Sequence, residues 1–252
     1  MDTVSKLDTA SQSVNGSELL GKALKHHGIE TVFCLMGGPM HQTMRTAIAE
    51  GIRCLDVRHE QAAAMMATAY ARVLNRTGVC LACSGPGVLN LTTGVAQAYV
   101  DCAPVLVLGG AYPLSEHGTG SFQELDQIAL MRPITKYAER VYEPQRIPEI
   151  VAQALRLTMS GKPGPVYLDF PADVLARAAD ETKVQRPASL RDAVRERPKA
   201  DPTSIERALA LLARAKKPIV LSGSGVLWSD AASELQVWCE KSGIPFYSLS
   251  DG

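Results

Sequence analysis

Apolar positions fall into two alternating periods along this chain. From Ser17 to His27, Leu19, Leu20, Ala23 and Leu24 share one helical face, and Gly28 can end that helix. Thr31–Leu35 is a short apolar strand, followed by a Gly-Gly-Pro turn at 37–39. Met40, Met44, Ala47 and Ile48 recur at helical spacing across 40–50. The next strand is Arg53–Val57. The Ala-rich run from Glu60 to Asn75 predicts a helix, because Ala has the highest helix propensity, and its small residues predict close packing. Gly78–Ser84 and Pro104–Gly110 are almost continuously apolar, as strands buried on both faces of a parallel sheet are. A helix through about Val100 lies between them. A long loop covers Ala111 to Gln123, and a helix at Ile147–Ser160 with a strand at Pro165–Phe170 closes the unit.

Strands alternating with helices over short connections predict an α/β fold, a doubly wound parallel sheet with helices on both faces. Ligands bind such sheets beyond the carboxyl ends of the strands. The turns after Leu35, Val57, Ser84 and Gly110 are therefore the places to look for chemistry. Residues 1–14 are polar and read as a disordered arm, and 15–176 form the α/β domain. The charged, proline-bearing stretch 177–202 reads as a linker. A second α/β domain begins at 203, with helices at Thr203–Ala215 and Asp230–Gly243 and strands around 217–223 and 245–249. About fifty residues with two short strands do not close a core easily, so this segment is expected to be a truncated domain or to pack on something further.

Composition narrows the function. Lys+Arg and Asp+Glu both number 26, so nothing points to nucleic acid or an acidic membrane surface. No apolar run approaches the ~20 residues that cross a bilayer, and the N-terminus has no apolar signal region. Most of the six cysteines sit inside apolar runs, as reduced core thiols of a cytoplasmic protein do. Cys80 and Cys83 have CxxC spacing, but an offset of three along a strand puts them on opposite faces, against a shared metal.

Two strand-to-helix turns carry candidate chemistry. Glu60 opens the Ala-rich helix; it either caps that helix or is a functional carboxylate. Ser84-Gly85-Pro86-Gly87-Val88-Leu89-Asn90 brings backbone close to any ligand, yet neither common phosphate-loop pattern is present.

Six ordered blocks carry a family resemblance: VFCLMGGP (32–39), RHEQAA (58–63), SGPGVLN (84–90), GSFQELDQ (120–127), PITKYAERV (133–141) and GKPGPVYLDFPADV (161–174). The chain resembles the N-terminal, pyrimidine-binding domain of the thiamine-diphosphate enzyme superfamily. The similar branch contains acetolactate synthase, benzaldehyde lyase, oxalyl-CoA decarboxylase and 2-hydroxyacyl-CoA lyase. The resemblance implies that Glu60 hydrogen-bonds the pyrimidine ring nitrogen N1′ of thiamine diphosphate and so switches the cofactor on. It implies that Gly38, Pro39, Ser84, Pro86, Gly87 and Asn90 line the cofactor's pyrimidine side. Phe122 and Gln123 lie where related enzymes place an aromatic and an amide near substrate, and Gln123 is the second catalytic candidate. Lys136 falls in a matching block, with a substrate contact and a salt bridge both open.

The resemblance further implies a thiamine-diphosphate-dependent carbon–carbon lyase or carboligase acting on 2-oxo acids or 2-hydroxy ketones. An acyl-CoA lyase or decarboxylase is the alternative, and a non-catalytic or split-subunit protein the third reading. The diphosphate and Mg2+ site would lie outside this chain, which offers no metal ligands of its own. FAD or a CoA nucleotide is a further candidate ligand. The partners implied are a small-molecule substrate and a second copy, in a homodimer or homotetramer. The loop GTGSFQE (118–124) lacks the paired histidines of simple 2-oxo-acid decarboxylases, and Pro39 stands where benzaldehyde lyase has a histidine.

Overall fold

A computed structural model describes residues 13–191 and 198–249. The strands are β1 (Ser13–Asn15), β2 (Thr31–Cys34), β3 (Arg53–Asp56), β4 (Gly78–Ala82), β5 (Val105–Ala111), β6 (Tyr137–Arg140), β7 (Val166–Pro171), β8 (Ala178–Asp180), β9 (Val220–Ser222) and β10 (Phe246–Ser248). The α-helices are α1 (Gly16–His26), α2 (His41–Ala49), α3 (Glu60–Leu74), α4 (Pro86–Val100), α5 (Gln127–Met131), α6 (Ile147–Met159), α7 (Ala172–Ala176), α8 (Pro202–Arg214), α9 (Ser224–Trp228) and α10 (Ala232–Ser242).

Six strands form one parallel sheet in the order β3-β2-β4-β5-β7-β6. The period-2 alternation of the strands sends side chains to two cores. Leu106, Leu108, Val166, Leu168 and Phe170 face one core, with α1, α2 and α6. Val105, Val107, Cys80 and Tyr167 face the other, with α3 and α4. Each fully buried leucine of this kind contributes about 1.5–3 kcal/mol.

The small residues of α3 do what their number predicts. Ala63, Ala64, Ala67 and Ala71 form its buried face. A Cβ built on Gly94 of α4 would lie 2.6 Å from the Ala64 side chain and 3.1 Å from the Gln61 carbonyl. The two helices touch backbone to backbone there, and no larger residue fits.

The chain leaves β2 toward β3 on one side and later places β4 on the other. That reversal opens a crevice at the carboxyl ends of β2 and β4. The turns at 35–40 and 83–86 form its walls.

Some expectations need correction. Residues 178–180, read as the start of a linker, form β8, which pairs antiparallel with β1. Ser13 and Val14, read as the end of a disordered arm, belong to that pair, and Val14 is buried. The rest of the arm, residues 1–12, lies outside the described residues. Edge strand β6 and helices α5, α7 and α9 are too short to show a period. Residues 202–249 add α8, α9, α10 and a two-stranded parallel sheet of β9 and β10. Trp228 of α9 is buried in the second core, and Asn75 Nδ2 donates to the Leu227 carbonyl. Leu209, Leu221, Val237 and Phe246 of this segment are exposed. Among the described residues no helix is long and apolar enough to cross a membrane.

Candidate functional site

Glu60 is the first residue of α3, yet its carboxylate does not cap the helix. His59 takes that place: its ring Nδ1 accepts the Gln61 backbone N–H at 3.2 Å. The Glu60 side chain instead turns inward and is 5% exposed. Asn90 of α4 donates from Nδ2 to Glu60 Oε2 at 2.9 Å. A hydrogen bond to a charged group of this kind contributes about 1.5–3 kcal/mol, and a buried carboxylate needs one. Glu60 Oε1 has no hydrogen-bond partner among the described residues.

Gly87 lets the start of α4 pack closely against that oxygen and against Cys83. A Cβ there would lie 3.2 Å from Glu60 Oε1 and 2.6 Å from Cys83 Sγ. The Cys83 thiol thus belongs to the same pocket, and the CxxC geometry needs correction: Cys83 lies beyond the end of β4, in the turn, not on the strand. Burial, and then the Glu60 charge, push the Cys83 pKa up, so it stays a thiol. A pocket with one satisfied and one free carboxylate oxygen fits a ring N–H donor. It suits the protonated N1′ of a pyrimidine.

The second wall is built around Gly85 and Gln123. Gly85 has φ +61°, and a Cβ on it would lie 2.8 Å from the Gln123 Cβ. Gln123 itself adopts φ +62°, a left-handed conformation that costs a non-glycine residue of order 1 kcal/mol or more. Ser84 Oγ donates to Gln123 Oε1 at 2.5 Å. That bond engages the Gln123 amide oxygen, and its NH2 group makes no hydrogen bond among the described residues. Pro39 packs on the other side of the crevice, where a Cβ built on Gly110 would lie 2.6 Å from the Pro39 Cδ. The Gly38–Pro39 peptide is cis. The crevice thus gathers Pro39, Glu60, Ser84, Gly87, Asn90 and Gln123, with Gly38 and Pro86 exposed at its rim. Phe122 is 85% exposed on the outside of its loop, and no contact ties it to this cluster among the described residues.

The loop carrying Phe122 and Gln123 is closed by Glu124. Its carboxylate accepts the backbone N–H groups of Gly118 at 2.5 Å, Gly120 at 2.8 Å and Ser121 at 3.1 Å. The Gly118 N–H is the largest influence holding the Glu124 carboxyl below its ordinary value of 4.5. A depressed carboxylate stabilises the loop above its ordinary pKa and loses that effect as pH falls through the folded value. The backbone amide shifts of Gly118 and Gly120 are therefore expected to titrate together, with a midpoint below 4.5. A midpoint at or above that value in an NMR titration contradicts the closure.

Sequence reading missed a network behind this wall. Gln127 is fully buried; its Oε1 accepts the Gly85 N–H at 2.5 Å, and its Nε2 donates to Asp169 Oδ1 at 2.5 Å and to the Gly110 carbonyl at 2.9 Å. Asp169 also accepts from the Tyr167 hydroxyl at 2.5 Å and from Arg140 Nε at 2.6 Å. Burial raises the Asp169 carboxyl, while Tyr167, Arg140 and Gln127 pull it back. Burial likewise opposes the Arg140 charge, but Asp169 and Tyr112 outweigh it and keep its pKa raised. With three donors on it, the carboxylate is ionised and the pair is charged. The one signal in the sequence was a charged residue inside the apolar run VYLDF.

Lys136 forms no salt bridge among the described residues. Its Nζ donates to the carbonyls of Leu157 at 2.5 Å and Ser160 at 2.6 Å, capping the end of α6. Burial lowers its pKa. Among the described residues no cluster of three or more His, Cys, Asp and Glu is arranged to hold a metal ion.

Two family profiles match this chain. The profile "Thiamine pyrophosphate enzyme, N-terminal TPP binding domain" matches residues 14–130, which hold the whole crevice from Gly38 to Gln123. The profile "Thiamine pyrophosphate enzyme, central domain" matches 205–252. The chain belongs to the thiamine pyrophosphate enzyme family. Within that family, an acetolactate synthase of Arthrospira platensis is 40% identical over 247 residues, covering 96% of this chain and 43% of the relative. A 2-hydroxyacyl-CoA lyase of Arabidopsis thaliana is 34% identical over 247 residues, with 96% and 43% coverage. An oxalyl-CoA decarboxylase of Escherichia coli (strain K12) is 36% identical over 248 residues, with 95% and 43% coverage. The chain spans about two fifths of the length of these curated relatives.

Proposed function

We propose that this chain supplies the pyrimidine-binding, cofactor-activating half of a thiamine-diphosphate-dependent carbon–carbon lyase or carboligase. The observation that carries the reading is the buried Glu60 carboxylate with one oxygen held by Asn90 and the other without a hydrogen-bond partner among the described residues. When bound, thiamine diphosphate supplies a thiazolium carbon nucleophile that adds to carbonyl compounds.

The chain's own residues would do the following. Glu60 accepts the N1′–H hydrogen bond and so holds a proton on that ring nitrogen, in a pocket where a charge-assisted bond is strong. Asn90 keeps the carboxylate turned inward. Pro39, Ser84, Pro86, Gly87 and Gly38 shape the walls against the flat ring. Gln123 offers its NH2 to a substrate carbonyl or the alkoxide it becomes, without titrating. The diphosphate and Mg2+ would be held by a separate diphosphate-binding domain of a second copy, so that a dimer or tetramer is the working form.

The substrates favoured are 2-oxo acids and 2-hydroxy ketones, as the acetolactate synthase relative suggests. An acyl-CoA substrate is the second reading. A cleft of about 310 Å3 supports it, lined by Gly161, Lys162, Ser224, Gly225 and Trp228. Lys162 and the glycine-flanked turn there suit the phosphates of a CoA nucleotide, or equally of FAD. Product analysis of the enzyme carrying this chain separates the readings. With pyruvate and its cofactors the first predicts a ligated 2-hydroxy-2-alkyl product. Turnover of a 2-hydroxyacyl-CoA with none of pyruvate establishes the second.

A further inference from the structure

Gln127 does not line the crevice, yet it connects everything on the Gln123 side of it. It is buried, and its amide orientation is set at both ends: an N–H donor, that of Gly85, meets Oε1, and a carboxylate, Asp169, meets Nε2. Gly85 in turn packs against the Gln123 backbone, and neighbouring Ser84 holds the Gln123 amide oxygen. Asp169 continues the chain of bonds to Arg140, and Arg140 NH1 donates to the Tyr112 hydroxyl at 3.2 Å. Tyr112 meets His117 Nδ1 at 2.6 Å, at the start of the same loop whose end carries Gln123. The Asp169–Arg140 pair is thus linked to both ends of the 117–123 segment, to His117 through Tyr112 and to Gln123 through Gln127 and the Ser84–Gly85 turn. None of these bonds touches Glu60 or Asn90.

We propose that Gln127 is a positioning residue. It acts through Gly85 to hold the Gln123 amide in register with the reacting carbonyl, independently of the Glu60 arm that activates the cofactor. The inference rests on the functional reading above for the roles of Gln123 and Glu60. Gln123 sits in a left-handed conformation that a loosened loop would abandon. Misplacement of such a group by about 1 Å can cost on the order of a hundredfold in rate.

Two substitutions test it. Gln127→Met keeps length and removes all the side-chain bonds, those to Gly85, Asp169, Gly110 and Tyr167. Gln127→Glu reproduces the Gly85 and Asp169 bonds only while its new carboxyl is protonated, one oxygen accepting from Gly85 and the O–H donating to Asp169. In the chain without cofactor, Gln127→Met is expected to speed Gly85 amide exchange by about tenfold or more, while the β5 amides stay protected. In the cofactor-loaded enzyme, Gln127→Met lowers kcat about 10- to 100-fold, yet C2–H exchange of bound thiamine diphosphate stays within about threefold of the unsubstituted enzyme. Activity of Gln127→Glu is expected to recover as pH falls, and that of Gln127→Met is not.

Unchanged Gly85 exchange, or kcat and C2 exchange falling together, overturns the proposal. If Gln127→Met does not fold, the pH profile of Gln127→Glu decides alone, and a flat profile overturns it. Absence of C2 exchange in the unsubstituted enzyme would sink the cofactor reading instead. Gly85 exchange would still judge the coupling of Gln127 to the loop.

Discussion

Glu60→Gln is expected to abolish most turnover while leaving the fold intact. The amide keeps the size of the carboxylate, and its carbonyl oxygen still accepts from Asn90 Nδ2, the bond seen at 2.9 Å. Stability should therefore change by about 1 kcal/mol or less, the net effect of an ordinary hydrogen bond. What the amide loses is the negative charge that favours a proton on the ring nitrogen. Loss of positioned acid–base help of this kind costs about 10²- to 10⁴-fold in rate. The measurements are kcat under saturating cofactor and a thermal unfolding curve of the same preparation. Turnover within a factor of a few of the unsubstituted enzyme removes Glu60 from the mechanism.

Asp169→Ala is expected to produce the largest loss of stability of any single truncation near the crevice. Asp169 is fully buried, and its partner Arg140 has a side chain only 13% exposed. Removing the carboxylate leaves that guanidinium charge uncompensated, and strips Tyr167 and Gln127 of an acceptor. Breaking a buried pair from one side costs about 3–5 kcal/mol. Asp169→Asn keeps an acceptor and should lose less than the alanine variant. Urea unfolding measures both. A loss below about 1 kcal/mol for Asp169→Ala contradicts the buried, charged pair described here.

The two variants act on different layers. In the proposed reading Glu60 meets the cofactor, and its loss is chemical. Asp169 lies one layer deeper, beneath the Gly85 turn, and its loss is first structural and then functional.

Much of this was legible in the chain. Apolar runs such as GVCLA and PVLVLGG announced buried parallel strands, and the Ala-rich run announced a helix that packs closely. The turns after those strands are where the crevice opens. Glu60 was visible as a candidate because a carboxylate at the start of such a helix is either a cap or a functional group. That Glu60 does not cap the helix was not readable, since His59 takes the cap and Asn90, thirty residues on, takes the carboxylate. The Gln127–Asp169–Arg140 network escaped for the same reason. Its members are 29 and 42 residues apart, and no spacing rule links them until the sheet brings β6, β7 and α5 together. Lys136 was ambiguous because backbone carbonyls at a helix end leave no mark in the residue pattern. The β1–β8 pair joins segments from opposite ends of the domain, so neither looked like a strand alone.

The central claim is that the Glu60 carboxylate, through the cofactor's pyrimidine ring, governs loss of the C2 proton. Hydrogen–deuterium exchange at C2 of thiamine diphosphate, followed on the enzyme before and after Glu60→Gln, tests it without any substrate. The account predicts fast exchange on the unsubstituted enzyme and exchange slowed about 10²-fold or more by the substitution. Equal rates on the two would contradict it.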